Sequence, residues 1–316
     1  MAAGLGAGPG VCFQRARPDF DRQEGWALFA ALFAGFLGIA GGLALWSEYE
    51  KKHFVTQRYV IPTKKFPKGE VNVVFLSDLH NNEFGARNER LVREIERIRP
   101  DAVLIGGDMM VCKGERDMEP ALCLVRRLAR RFPVYYANGN HEERMNEERD
   151  IYGDQYEEFK TALEEAGVCY LSDASADFGE TIRVTGANLD GEYYSRRFTI
   201  PALPEGTLKK RVGAAAADRF QILLFHSPLF FEECRKWGAD LTLSGHFHGG
   251  TIRIPFLGGV MTPQYHFFLP WCAGRFDREG KTMIVSRGLG THSINIRLND
   301  RPHLVWVTIR GGGDGC

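Results

Sequence analysis

Five of the nine histidines stand at the ends of apolar runs, beside small or acidic residues. SDLH supplies Asp78 and His80, GGD supplies Asp108, and GNH supplies Asn140 and His141. LLFH ends in His226, and SGHFHGG carries His246 and His248. Each motif alone reads as an ordinary turn or cap. Together they offer carboxylates, imidazoles and an amide oxygen without a thiolate, a donor set suited to a divalent ion of the Mn, Fe or Zn type. Eight such groups exceed the needs of one ion. Two ions about 3.5–4 Å apart, sharing one carboxylate, form the economical arrangement. Glycines at 106, 107, 139, 245, 249 and 250 would let the backbone turn tightly beside them. If the stretch around 246–248 is extended, His246 and His248 share one face.

The elements needed to bring these residues together are legible. VNVVFLSD, from Val71, and DAVLIGGD are apolar runs of the kind buried on both faces of a sheet. Between them NERLVREIERIR carries Leu91, Val92, Ile95 and Ile98 on one stripe, with Asn88 as its cap and Pro100 as its stop. Leu122, Val125, Leu128 and Phe132 mark a further helix before the strand PVYYANGN. This βαβαβ order predicts parallel strands, whose carboxyl ends are where sites form. Residues 153–166 read as helix. VCYLSD, TIRVTGA, FQILLFH, ADLTLSG, TMIVSRG and HLVWVTI then read as strands of a second sheet. Residues 191–219 interrupt them as a polar loop with RR at 196–197 and KKR at 209–211. It reads as a solvated insertion or as a contact for an anionic substrate or lipid headgroup.

The ordered set SDLH, GGD, GNH, His226 and GHFH resembles the calcineurin-like metallophosphoesterase superfamily, from about Val71 to Ile309. HGGTIRIPFLGGVMTPQ, followed by SRGLGTH, resembles its bacterial membrane-associated branch of YkuE- and YaeI-type phosphohydrolases. The resemblance implies an α/β fold, a four-layer αββα sandwich with two metal ions at the sheet edge. It implies that Asp78, His80 and His248 hold one ion, that Asn140, His226 and His246 hold the other, and that Asp108 bridges them. His141 would sit near the leaving-group oxygen as general acid or transition-state stabiliser. The implied activity is hydrolysis of phosphomonoesters or phosphodiesters by metal-activated water. A second implied substrate is a lipid-linked nucleotide such as a UDP-diacylglucosamine, cleaved at its pyrophosphate. A scaffold role is disfavoured because every expected ligand and His141 are present. Two departures stand out. Glu142 follows GNH where the family often has Asp, and is expected beside the metals, not on them. Trp271 and Cys272 replace the branch's usual Tyr-Asp, which bears on the substrate pocket; Cys272 is either a packed hydrophobe or a reactive thiol.

Composition bounds the rest. Lys plus Arg and Asp plus Glu number 40 each, a balance that argues against broad nucleic-acid binding. Seven scattered cysteines form no C-x-x-C pair, so neither a disulfide framework nor a zinc knuckle is expected. Trp26 to Trp46 is uncharged and spans roughly 30 Å as a helix, enough for one membrane crossing. Arg15, Arg17 and Arg22 precede it; Lys51, Lys52, Arg58, Lys64 and Lys65 follow, a bias toward a cytoplasmic C-terminal domain. The expected organisation is a disordered tail (1–25), a membrane helix (26–46), a juxtamembrane linker (47–69), a catalytic domain (70–311) and a flexible end (312–316).

Overall fold

The computed structural model describes residues 22–66, 68–112, 117–195, 197–291 and 294–312. Of the tail expected at 1–25, residues 1–21 lie outside the described residues and 22–25 are helical, and of the end expected at 312–316, residues 313–316 lie outside them. The chain divides into two compact units, Met1–Ala44 and Leu45–Cys316. Helix α1 (Arg22–Lys51) begins before the apolar run and ends after it. Its stretch Gly25–Lys51 is long and apolar enough to cross a membrane.

In the second unit β1 (Val55–Thr63), β2 (Gly69–Leu76), α2 (Glu89–Ile98), β3 (Ala102–Ile105), α3 (Glu119–Ala129) and β4 (Val134–Tyr136) come first. Next are α4 (Asn140–Glu147), α5 (Arg149–Tyr152), α6 (Gln155–Glu165), β5 (Cys169–Tyr170), β6 (Ala174–Phe178) and β7 (Ile182–Gly186). Then follow α7 (Gly191–Ser195), α8 (Thr207–Val212), β8 (Phe220–Leu224), α9 (Phe231–Trp237) and β9 (Leu241–Ser244). A small hairpin, β10 (Arg253–Ile254) and β11 (Gly258–Gly259), precedes β12 (Gly274–Arg278), β13 (Lys281–Val285) and β14 (His303–Gly311).

Two six-stranded sheets result, ordered β1-β14-β2-β3-β4-β5 and β12-β13-β9-β8-β7-β6. Strands β2, β3, β4 and β5 pair in parallel, as the βαβαβ order requires. So do β7, β8, β9 and β13. Alternation along the strands assigns the layers. Val73, Phe75, Ala102 and Leu104 face Ile222, Leu224, Leu241 and Leu243 in a core between the sheets. Val74, Leu76, Val103 and Ile105 face the other way, onto Leu91, Ile95, Val125 and Phe159 of the helices. On the far side Leu223 packs with Leu208 and Cys234 of α8 and α9. The fold is therefore the four-layer αββα sandwich.

Several expectations are corrected. The stretch 47–69 is no simple linker: Ser47 to Lys51 complete α1, and β1 pairs in parallel with β14. Only Tyr59 and Ile61 of β1 are buried, so its polar majority hid it. VCYLSD and HLVWVTI join the first sheet, not the second, as β5 and β14. Residues 191–219 contain α7 and α8. Asn88 precedes α2 but does not cap it; its Oδ1 accepts the Phe84 N–H at 2.9 Å.

Candidate metal centre and active-site cavity

The carboxyl ends of β2, β3, β4, β8 and β9 meet at one edge of the stacked sheets, and all eight candidate residues converge there. Nε2 of His80 lies 3.2 Å from Nε2 of His248, and His248 Nε2 lies 3.6 Å from Asp78 Oδ1. His226 Nε2 lies 3.3 Å from Asp108 Oδ2 and 3.7 Å from Asp78 Oδ1. Asp78, His80 and His248 form one group able to hold an ion; Asp108, His226 and His246 form another. Asn140 lines the same cavity as His80, Asp108, His246 and His248.

The loops that carry these groups are held hard. Asp78, His80, Asp108, His246 and His248 all adopt positive φ, between 47° and 67°. Such residues cost about 1–3 kcal/mol each and persist only where their surroundings over-determine them. Here the loops hold one another. The N–H of Asp78 donates to Gly107 O at 3.0 Å, and that of His80 to Asp108 O at 3.1 Å. The N–H of His246 donates to Asp78 Oδ1 at 2.9 Å, and that of His141 to Asp108 Oδ1 at 2.8 Å. A Cβ on Gly245 would stand 2.2 Å from Asp78 Oδ2, so only glycine allows that approach. The stretch around 246–248 is not extended, because a turn follows at His248–Gly250. His246 and His248 therefore serve different groups, while Phe247 is fully buried.

Hydrogen-bond polarity separates the histidines into two kinds. His226 Nδ1 donates to Gly106 O at 2.7 Å, and His248 Nδ1 donates to Gly290 O at 3.1 Å. Each Nε2 lone pair is then turned toward carboxylate oxygens. Lone pair against carboxylate is repulsive unless a proton or a cation lies between them. Asn140 Oδ1 and His246 Nε2 are likewise buried without a hydrogen-bond partner. A cation is what this donor set fits, and a protein carbonyl on the other ring nitrogen is the usual support of a metal-bound imidazole. Burial opposes charge on His226, yet Asp108 and Asp78 raise its pKa to about 9, a measure of how strongly the pocket favours positive charge. Burial likewise opposes ionisation of Asp108, but His226, His141 and His80 outweigh it and hold that carboxyl well below its usual range.

His141 is the other kind. Its Nδ1 accepts the Cys112 N–H at 2.9 Å. The neutral ring must therefore carry its proton on Nε2, 4.0 Å from Asp108 Oδ2. A protonated nitrogen is no ligand, although His141 stands close enough to His80 and Asp108 to form a third grouping with them.

Sequence reasoning placed Glu142 beside the metals and missed what it does. Its Oε2 accepts the N–H groups of Asp108 and Gly139 at 2.8 and 2.9 Å. Its Oε1 accepts the Met109 N–H at 3.2 Å and the Tyr136 hydroxyl at 2.5 Å. One carboxylate thus fixes the GGD loop against the start of α4. A glutamate three residues past the helix cap is the signal that could have shown this. The cavity, about 290 Å³, is also lined by Arg144, Tyr194, Arg197 and Gln264. Arg197 belongs to the RR pair of the polar loop; Arg196 lies outside the described residues. Cys272 is buried, and burial pushes its thiol up to about 12, which makes it a packed hydrophobe.

The family model described as calcineurin-like phosphoesterase matches residues 71–250, a range that contains all eight candidates. The chain is 30% identical over 288 residues to an uncharacterized metallophosphoesterase of Aquifex aeolicus (strain VF5), covering 87% of this chain and 99% of that protein. It is 27% identical over 301 residues to the uncharacterized metallophosphoesterase YkuE of Bacillus subtilis (strain 168), covering 92% and 97%. Against the phosphodiesterase YaeI of Escherichia coli (strain K12) it is 24% identical over 241 residues, covering 75% and 81%. Family match, full-length relatives and a site edge suited to cations agree: the chain belongs to the calcineurin-like phosphoesterase family, in its YkuE and YaeI branch, and is a metal-dependent hydrolase of phosphoester bonds.

Proposed function

We propose that this protein is a membrane-anchored, dinuclear phosphoesterase that hydrolyses phosphomonoester or phosphodiester bonds. Asp78, His80 and His248 would hold one divalent ion, and Asn140, His226 and His246 the other, with Asp108 shared between them. When bound, such ions polarise phosphoryl oxygens and lower the pKa of a water nucleophile. The chain's own residues do the rest. Arg144 and Arg197 bring positive charge to the cavity and suit an anionic substrate. His141 presents an Nε2–H that would donate a hydrogen bond to the leaving oxygen and offset the charge that develops there as the bond breaks, the neutral ring keeping its proton. Cys112, through its N–H, keeps that tautomer in place. The observation that carries the reading is this reversed polarity of His141 relative to His226 and His248. Helix α1 would be the anchor, since Gly25–Lys51 has the length and composition for one span.

A lipid-linked nucleotide cleaved at its pyrophosphate is a second reading. In its favour, Met261, Tyr265, Ile294 and Ile296 line a cavity that His248 also lines. The test is turnover by the purified full-length protein with Mn²⁺, Zn²⁺ or Fe²⁺ on phosphomonoesters, phosphodiesters and UDP-linked lipids. Asp108→Asn should lose bound metal and activity together. His141→Ala should keep its metal while kcat falls about 10²–10³-fold. Equal metal loss in both variants refutes the role given to His141, and no turnover on any class refutes the activity.

A further inference from the structure

The stretch TIRIPFLGG, between the His248 turn and the rest of the second sheet, has no part in the chemistry above. It forms the β10–β11 hairpin, in which Arg253 pairs with Gly259 and Ile254 with Gly258. Its tip carries Phe256, 108% exposed, and Leu257, 63% exposed. Phe256 holds φ 67°, a left-handed backbone that bulky side chains disfavour. It therefore gains no burial and adopts an unfavourable backbone state, which folding alone does not explain.

The hairpin is not isolated. On one side Met261 bridges Phe267, and the Phe268 N–H donates to Val260 O at 3.0 Å. On the other side Ile252 bridges Leu298, and the Arg253 N–H donates to Leu298 O at 2.9 Å. Neighbouring runs of chain thus bring Phe256, Leu257, Phe267, Phe268, Ile294 and Ile296 into one region, all of them exposed. Soluble surfaces seldom gather so many large apolar side chains without a partner.

The same region receives the end of α1. Lys51 Nζ donates to the Asn295 O and Oδ1 at 3.2 and 3.0 Å, between the two isoleucines. The Arg297 N–H donates to Ser47 Oγ at 2.9 Å, and the Asp300 N–H to Glu50 Oε2 at 3.1 Å. Trp46 and Tyr49, on that last stretch of helix, are exposed and stacked at 5.5 Å. Aromatic residues at a helix end are interface-seeking. The apolar region is thus joined, through Asn295 and Arg297, to the residues at which the membrane-length helix enters the second unit.

We propose that the β10–β11 tip, with Phe267, Phe268, Ile294 and Ile296, is a lipid-contacting surface that seats the catalytic unit on the bilayer crossed by α1. The proposal rests on the reading of α1 as a membrane span. Exposed Lys52 on the same border suits anionic headgroups. Seated this way, the cavity lined by His248, Ile294 and Ile296 would lie beside lipid.

The test uses the full chain reconstituted in vesicles of phosphatidylcholine and phosphatidylglycerol. Phe256→Cys is labelled with a nitrobenzoxadiazole fluorophore and quenched by doxyl-labelled lipid. Leu257→Cys serves as a second position, and Ile151→Cys on α5, also exposed, as the reference. Identically treated wild-type protein corrects for the native cysteines. Quenching at 256 and 257 should exceed that at 151 several-fold. Equal quenching at all three positions overturns the proposal. So does emission at 256 that depends on protein density and ignores the quencher, because a second copy then covers the surface. Resistance to alkaline carbonate extraction reads the anchoring of α1 separately. Anchoring without selective quenching overturns the surface alone, whereas selective quenching without anchoring leaves the surface standing and removes the span.

Discussion

Replacing Glu142 by Gln tests whether one buried carboxylate holds the catalytic loops together. The side chain is fully buried. Burial and the nearby Asp108 both raise its pKa. Against that, three backbone N–H groups and one hydroxyl point at its two oxygens. An ionised carboxylate accepts all four, and a protonated one must turn a hydrogen toward a donor unless Tyr136 rotates. The side-chain amide of the Glu142→Gln variant would keep one acceptor oxygen and set an NH₂ against two donors. Hydrogen bonds to a charged group contribute about 1.5–3 kcal/mol each, so losing two costs about 3–6 kcal/mol. For a domain of this size that is a fall in melting temperature of about 6–24 °C. Either orientation of the amide frees at least one N–H of the Asp108–Met109 stretch, so Mn²⁺ affinity should fall as well. Thermal melts of the metal-free and Mn²⁺-loaded protein at neutral pH read both effects. A variant melting within about 2 °C of the wild type would refute the reasoning. It would mean that Glu142 is protonated and that Gln is its isostere.

Three further outcomes follow from the same framework. Gly107→Ala should cost well over the roughly 1–2 kcal/mol expected of Gly206→Ala in urea titrations. Both have positive φ, but a Cβ at 107 would meet Gly139 N at 1.9 Å, while nothing lies within 4 Å of one at 206. Arg297→Lys should destabilise by about 3 kcal/mol and weaken Mn²⁺ binding measured by calorimetry. The guanidinium donates to the carbonyls of Arg287, Gly290 and Asp300 at 2.7–2.8 Å, a span that an ammonium does not reproduce, and Gly290 O also orients His248. His303 is buried without a partner on either ring nitrogen, and burial with Arg287, Arg297 and Arg253 lowers its pKa to about 3. A depressed folded pKa gives stability that is complete above the ordinary 6.5 and is lost as pH falls toward 3, by at most about 5 kcal/mol. His303→Leu should remove that loss, seen as a stability gain over wild type that grows from pH 6.5 downward. Asp300, raised to about 6 chiefly by burial, contributes the opposite slope between 3.8 and 6, so the difference between wild type and variant is the quantity to read.

What sequence could and could not reveal follows from where each residue sits in the sheets. Strands β3 and β8 and the second half of β2 are buried throughout, so nearly every side chain there is apolar and the run is unmistakable. Among the unread strands, β1, β6 and β12 are edges, each with one neighbour, and of their residues only Tyr59 and Ile61 are buried. β14 was read as a strand but put in the wrong sheet, because its pairing with β2 is antiparallel and spans most of the chain. The site residues were legible for a related reason. A strand end needs no histidine or carboxylate to pack, so His80, Asp108 and His226 announce chemistry by having no structural excuse. Glu142 and Arg297 carry no such mark. One looks like an ordinary first-turn glutamate and the other like one more arginine near the surface, and only the loops they gather give them away. The protonation of His141 is subtler still. Nothing in GNH distinguishes its imidazole from the ligands; the distinction comes from the Cys112 N–H, 29 residues away in sequence, which reverses the ring's polarity. Residue types at strand ends thus specify which atoms can meet a phosphoester. Which of those atoms donates a hydrogen bond and which offers a lone pair is decided by backbone groups that a motif does not contain.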